Sequence, residues 1–129
     1  MNLKAFDKQT VDSFLGEHTF FQGTITSQVP VRIDGRMEGT IHSESNLYIG
    51  PKSKVTANIN GKRVIVAGEV TGDIYVTEGL EIHKNGKVFG NIGGTTLIIH
   101  EGALYKGQVK MDTIATQNDY EGPVELSEA

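Results

Sequence analysis

The sequence predicts an all-β fold, a single-stranded parallel β-helix (a solenoid) of about six rungs. One observation is a phrase that recurs six times: apolar, any, small, any, apolar. Its copies run Phe21 to Ile25, Met37 to Ile41, Val55 to Ile59, Val70 to Ile74, Val88 to Ile92 and Tyr105 to Val109. Their small residues, Gly23, Gly39, Ala57, Gly72, Gly90 and Gly107, step by 16, 18, 15, 18 and 17. A near-fixed period of this kind marks stacked repeats. A second observation is the pair that interleaves with it: Val31-x-Ile33, Leu47-x-Ile49, Val64-x-Val66, Leu80-x-Ile82 and Leu97-x-Ile99. Alternation at period 2 is a strand with one buried face. The third is composition: 16 Gly and only 7% aromatics suit short strands and tight turns.

Each coil is justified by the spacing of its inward side chains. Leu47, Ile49, Val55 and Ile59 are offset by 2, 6 and 4, as are Leu80 to Ile92 and Leu97 to Val109. Val31 to Ile41 and Val64 to Ile74 are offset by 2, 4 and 4. The two forms differ at one corner, long at 50–54, 83–87 and 100–104 and short at 34–36 and 67–69. Two inserted residues preserve the inward set, because the strand period is 2. Leu15 to Phe21 fits the long form, which starts the first coil near Phe14. Rungs pair in parallel at about 4.8 Å, for a rod on the order of 30 Å long. A helical fold is excluded by spacings of 2 and 4 and by frequent Gly. An antiparallel sandwich is the rival, but its strands need not repeat in sequence. Ala57 stands in one copy of the small position, which argues for selection by size, not by positive φ. The outward residues Thr24, Thr40, Asn58, Asp73, Asn91 and Gln108 are expected to stack as one polar ladder.

The 129 residues suffice for one domain, read as an N-terminal tail at 1–13, a β-helix at 14–111 and an acidic disordered tail at 112–129. Cys is absent, so there is no disulfide framework or thiol chemistry. No apolar run approaches the roughly 20 residues that span a bilayer. The first seven residues lack the apolar stretch of a secretory signal, and a cytoplasmic protein is the simplest expectation. The net charge of −4 is uneven. Residues 14–111 carry 10 basic and 9 acidic side chains, whereas 112–129 carry five acids and no base. The rod offers no net basic field for nucleic acid. No G-x-x-x-x-G-K-[ST] is present for a nucleotide-driven polymer.

Three segments are more specific. The run from Val31 to Ile41 (VRIDGRMEGTI) resembles the opening signature of the bactofilins, bacterial polymer-forming cytoskeletal proteins. The run from Val64 to Ile74 (VIVAGEVTGDI) is similar to their middle coil. The run from Gly102 to Gly107 (GALYKG), closed by Met111, is similar to their last. The resemblance covers about residues 14–111. It implies a right-handed triangular β-helix with disordered tails, assembling end to end into filaments without nucleotide or cofactor. It also implies a location on the inner face of the cytoplasmic membrane, and partners such as further copies, another bactofilin and cell-envelope or motility factors. Family members often carry Phe where this chain has Tyr105, at a position linked to the C-terminal polymer contact. Tyr keeps the ring and adds a hydroxyl that must stay wet or find a partner.

The open ends of a β-helix point to the same function. An end exposes unpaired N–H and C=O groups around a rung together with its apolar interior. The N-terminal rung carries Leu15, Phe20, Phe21 and Ile25, and the C-terminal rung Leu104, Tyr105, Val109 and Met111. These eight residues are the expected polymer contacts; the plainer alternative is terminal core covered by the tails. Leu3 and Phe6 lie one helical turn apart beside Lys4 and Lys8, a pattern for weak, reversible membrane contact. A disordered tail and an end cap remain the other two readings of this segment.

Enzyme chemistry finds less support, and a scaffold without catalysis is expected. His83 and His100 follow equivalent strands 17 residues apart and should stack. Two imidazoles can share a metal, as in β-helix carbonic anhydrases. Their column otherwise offers Asp34, Gly50 and Ala67, so a corner ladder without metal is the plainer expectation. Hexapeptide-repeat acyltransferases also form β-helices, but their coils keep a constant length that the steps here break.

Overall fold

The computed structural model describes residues 13–117 and 124–125, in which all strand pairs are parallel. The strands run β1 (Ser13–Leu15), β2 (Phe20–Ser27), β3 (Val31–Ile33), β4 (Arg36–Ser43), β5 (Asn46–Ile49), β6 (Lys54–Val66) and β7 (Glu69–Thr71). They continue with β8 (Ile74–Ile82), β9 (Lys87–Phe89), β10 (Ile92–His100), β11 (Leu104–Lys106), β12 (Val109–Gln117) and β13 (Val124–Glu125). Pairing sorts them into three stacks. The first holds β1, β3, β5 and the C-terminal parts of β6, β8, β10 and β12. The second holds the N-terminal parts of β2, β4 and β6, then β7, β9, β11 and β13. The third holds the rest of β2, β4 and β6 and the N-terminal parts of β8, β10 and β12. The chain is a parallel β-solenoid of about six turns with three strand segments per turn. Among the described residues no helix is long and apolar enough to cross a membrane.

The inward columns follow the alternation in the sequence. Val31, Leu47, Val64, Leu80 and Leu97 stack in register, as do Ile33, Ile49, Val66, Ile82 and Ile99. Met37, Val55, Val70, Val88 and Tyr105 form a third column, and Ile41, Ile59, Ile74, Ile92 and Val109 a fourth. All twenty are buried. Each such side chain contributes about 1.5–3 kcal/mol by leaving water, so the core is a row of equal layers without a single centre. The long corners share one device. A turn hydrogen bond closes each, from Thr19 N–H to Gly16 O, Ser53 to Gly50, Gly86 to His83 and Ala103 to His100, at 2.8–3.1 Å. Asn85 takes a left-handed φ of 69° inside one of them.

Two expectations are corrected. The rod does not stop at Met111: β12 runs on to Gln117, with Ile114 in register with Leu97, and β13 pairs with Tyr105 and Lys106. The strand period continues through 112–117; the acidic composition of the whole tail had hidden it. At the other end the first strand begins at Ser13, in register with Val31. The second correction concerns the small residues. Gly23, Gly39, Gly72, Gly90 and Gly107 all have φ between 137° and 149°, so backbone freedom is selected as well as size. They turn the chain from the second stack to the third without a loop. They also lie tight against the turn before: a Cβ on Gly39 would come within 1.8 Å of Gly23 O. Ala57 is the exception, since its φ is not positive.

Candidate polymer junctions

At the N-terminal end β1 pairs only with β3 and β2 only with β4 among the described residues. Among the described residues no strand lies beside the far edge of the eight-residue β2. Leu15, Phe21 and Ile25 are half-buried and pack on the core. Phe20 is 49% exposed, with the Arg36 guanidinium 4.9 Å from its ring centroid. The four N-terminal residues named from the sequence thus meet at one end, Leu15 on β1 and Phe20, Phe21 and Ile25 on β2.

At the C-terminal end the eight-residue set divides. Val109 and Met111 lie on β12, which pairs only with β10 among the described residues. Val109 is buried and Met111 half-buried. Leu104 and Tyr105 lie on β11, one strand inside, because β13 pairs over it. Tyr105 is fully buried, so it belongs to the core of the single molecule. The residue missed from the sequence is Ile114, 41% exposed on the terminal strand. Its signal was the 17-residue step from Leu97. Leu3, Lys4, Phe6 and Lys8 lie outside the described residues.

The Tyr105 hydroxyl finds its partners inside the rod. It lies 2.8 Å from Gly90 O and 2.8 Å from Gln108 O, and donates to these carbonyls. Burial, helped by the negative charge of Asp73, pushes its pKa up to about 12. The glycines make room: a Cβ on Gly107 would stand 2.8 Å from this oxygen. Removing the hydroxyl leaves buried acceptors short of a donor, so Tyr105→Phe is expected to cost about 1–3 kcal/mol. Denaturant unfolding measures it, and an unchanged midpoint would refute it.

The polar ladder forms as expected. Asp73 N–H donates to Asn58 Oδ1 at 3.3 Å, Asn91 N–H to Asp73 Oδ1 at 3.2 Å and Gln108 N–H to Asn91 Oδ1 at 3.4 Å. The column begins with Thr24 and Thr40, paired in register below Asn58. His83 and His100 meet on neighbouring turns edge to face, with ring centroids 4.6 Å apart and ring planes at 67°. Glu81 joins them, its Oε2 lying 2.6 Å from His100 Nε2 and 3.3 Å from His83 Nε2.

The chain matches a known family. The model of the bactofilins, described as polymer-forming cytoskeletal, fits residues 13–110. The chain belongs to the bactofilin family. It is 30% identical over 110 residues to bactofilin BacO of Myxococcus xanthus, an alignment that spans 83% of this chain and 87% of that one. Its fold is similar to the cryo-EM reconstruction of Thermus thermophilus bactofilin double helical filaments, with TM-score 0.73 and 26% identity. That likeness covers 77% of this bactofilin and 98% of the filament subunit.

Proposed function

We propose that this bactofilin polymerises end to end into filaments without nucleotide and serves as a scaffold without catalysis of its own. One observation carries the reading: among the described residues two strand edges, β2 and β12, stand without a neighbour at opposite ends of a paired rod. Apposition of ends satisfies backbone groups and buries Leu15, Phe21, Ile25, Met111 and Ile114 in a single step. The likeness to a filament subunit supports it. The junction then comprises Leu15, Phe20, Phe21 and Ile25 at one end, and Val109, Met111 and Ile114 at the other, with Leu104 and Tyr105 supporting them from beneath. Negative-stain microscopy of the purified protein, free of nucleotide and metal, tests it. Filaments are expected, and a uniform population of monomers would overturn the proposal.

The filament's proposed place is the inner face of the cytoplasmic membrane, where it would localise cell-envelope or motility factors. Family membership supports this, together with Leu3 and Phe6 beside Lys4 and Lys8. Two apolar anchors and two bases give weak attachment that a polymer multiplies. Pelleting with anionic liposomes is expected to fall when residues 2–8 are deleted. Equal pelleting of both proteins would exclude that segment as the anchor.

A further inference from the structure

We infer that Glu81, His83 and His100 form a binding site for a borderline divalent cation of the zinc class, clamped between two successive turns of the rod. Three donor atoms converge here, all lying within 4.8 Å of one another. Glu81 and His83 end one turn, and His100 ends the next. One carboxylate oxygen bridges both rings, with Glu81 Oε2 2.6 Å from His100 Nε2 and 3.3 Å from His83 Nε2. Two imidazoles and a carboxylate are a known zinc donor set, with one position left for water. Nitrogen donors also disfavour magnesium and calcium.

The surroundings suit an ion. All three side chains are half-buried, open enough for entry and shielded enough to keep their arrangement. Ala67, the residue under His83 in this corner column, is small and leaves a recess that His83 and His100 line. Without metal, Glu81 accepts from the ring nitrogens. With metal, each Nε2 gives its lone pair to the cation and the ring proton sits on Nδ1. The column of His83 and His100 itself holds only Asp34, Gly50 and Ala67 on the other turns. Glu81 lies in the neighbouring outward column, two residues before His83, and completes the set.

Calorimetric titration of the metal-stripped, full-length protein with Zn²⁺ tests the assignment, with Mg²⁺ for comparison. One saturable Zn²⁺ per chain is expected, and no saturable Mg²⁺ binding. His100→Gln and Glu81→Gln are each expected to weaken zinc by more than about 10-fold, the loss that removal of a mere supporting group already produces. His42→Ala, on another part of the rod, should bind as the parent does. Zinc should also raise the thermal midpoint of the parent, because it ties two turns together, and leave that of His100→Gln unchanged. The Co²⁺ spectrum of the unmodified protein gives a readout independent of any variant's folding. Intense four-coordinate bands support the site, and the weak spectrum of hydrated cobalt overturns it. Absence of saturable binding, or equal affinity in His100→Gln, overturns it too. Binding is read on monomers and filaments alike, so this inference and the polymer proposal fail separately.

Discussion

With arginine in place of Phe21, the protein is expected to remain a folded rod that no longer pellets as filaments. Phe21 is half-buried on β2, whose outer edge has no strand beside it among the described residues. In a single molecule a guanidinium at this position swings into water at the end of the rod. In an apposed junction it lies among apolar side chains without a counter-ion, at a cost of several kcal/mol per contact. A polymer repeats that cost at every junction, so assembly is lost at concentrations where the parent polymerises. Circular dichroism should show the parent's strand content, and sedimentation should leave the variant in the supernatant. Filaments of Phe21→Arg would remove this end from the junction. Tyr105→Arg is a poor instrument for the same question. Tyr105 is fully buried and bonded to Gly90 O and Gln108 O, so the charge would strike the core and unfold the last turns.

Gly39→Ala is expected to be among the most damaging methyls that can be added to the rod. Gly39 has φ 139°, and the new Cβ would lie 1.8 Å from Gly23 O and 2.8 Å from its carbonyl carbon. Backbone strain alone is about 1–3 kcal/mol. The overlap falls on main chain held in the neighbouring turn, which cannot rotate away as a side chain does. A fall in thermal midpoint on the order of 10 °C or more follows. Ala57→Gly is the matched control. Ala57 already turns the same corner at ordinary φ, so the change removes one methyl and adds backbone freedom, for about 1 kcal/mol. Equal midpoints for Gly39→Ala and the parent would refute the steric account.

The inward columns were legible because a strand has one period and a solenoid repeats it. Leu47, Val64, Leu80 and Leu97 could be aligned from spacing alone, and corner insertions of two residues kept the phase. What stayed hidden had particular causes. Ile114 carries the same 17-residue step, but the acids around it read as solvated tail, so the terminal rung was set at Met111. The φ of the corner glycines was masked by Ala57, one exception that satisfies the size requirement by another backbone route. The partners of the Tyr105 hydroxyl are carbonyls of Gly90 and Gln108, and backbone acceptors leave no letter in a sequence. Glu81 stands in a different column from His83 and His100, and the bend that brings neighbouring columns together at a corner leaves no period in the sequence.

The pairing of every turn with the next has a mechanical consequence. Backbone hydrogen bonds in this rod point along its long axis, since the strands run across it. Tension applied end to end therefore loads the bonds of all three strand stacks at once, and none yields until a whole turn parts. A force on the chain terminus does the opposite, peeling one short strand at a time. A filament of such rods would be strong in traction along its length and fragile to unravelling from a free tip. Its breaking load is set by the junction between molecules, the one level where fewer strands need be matched.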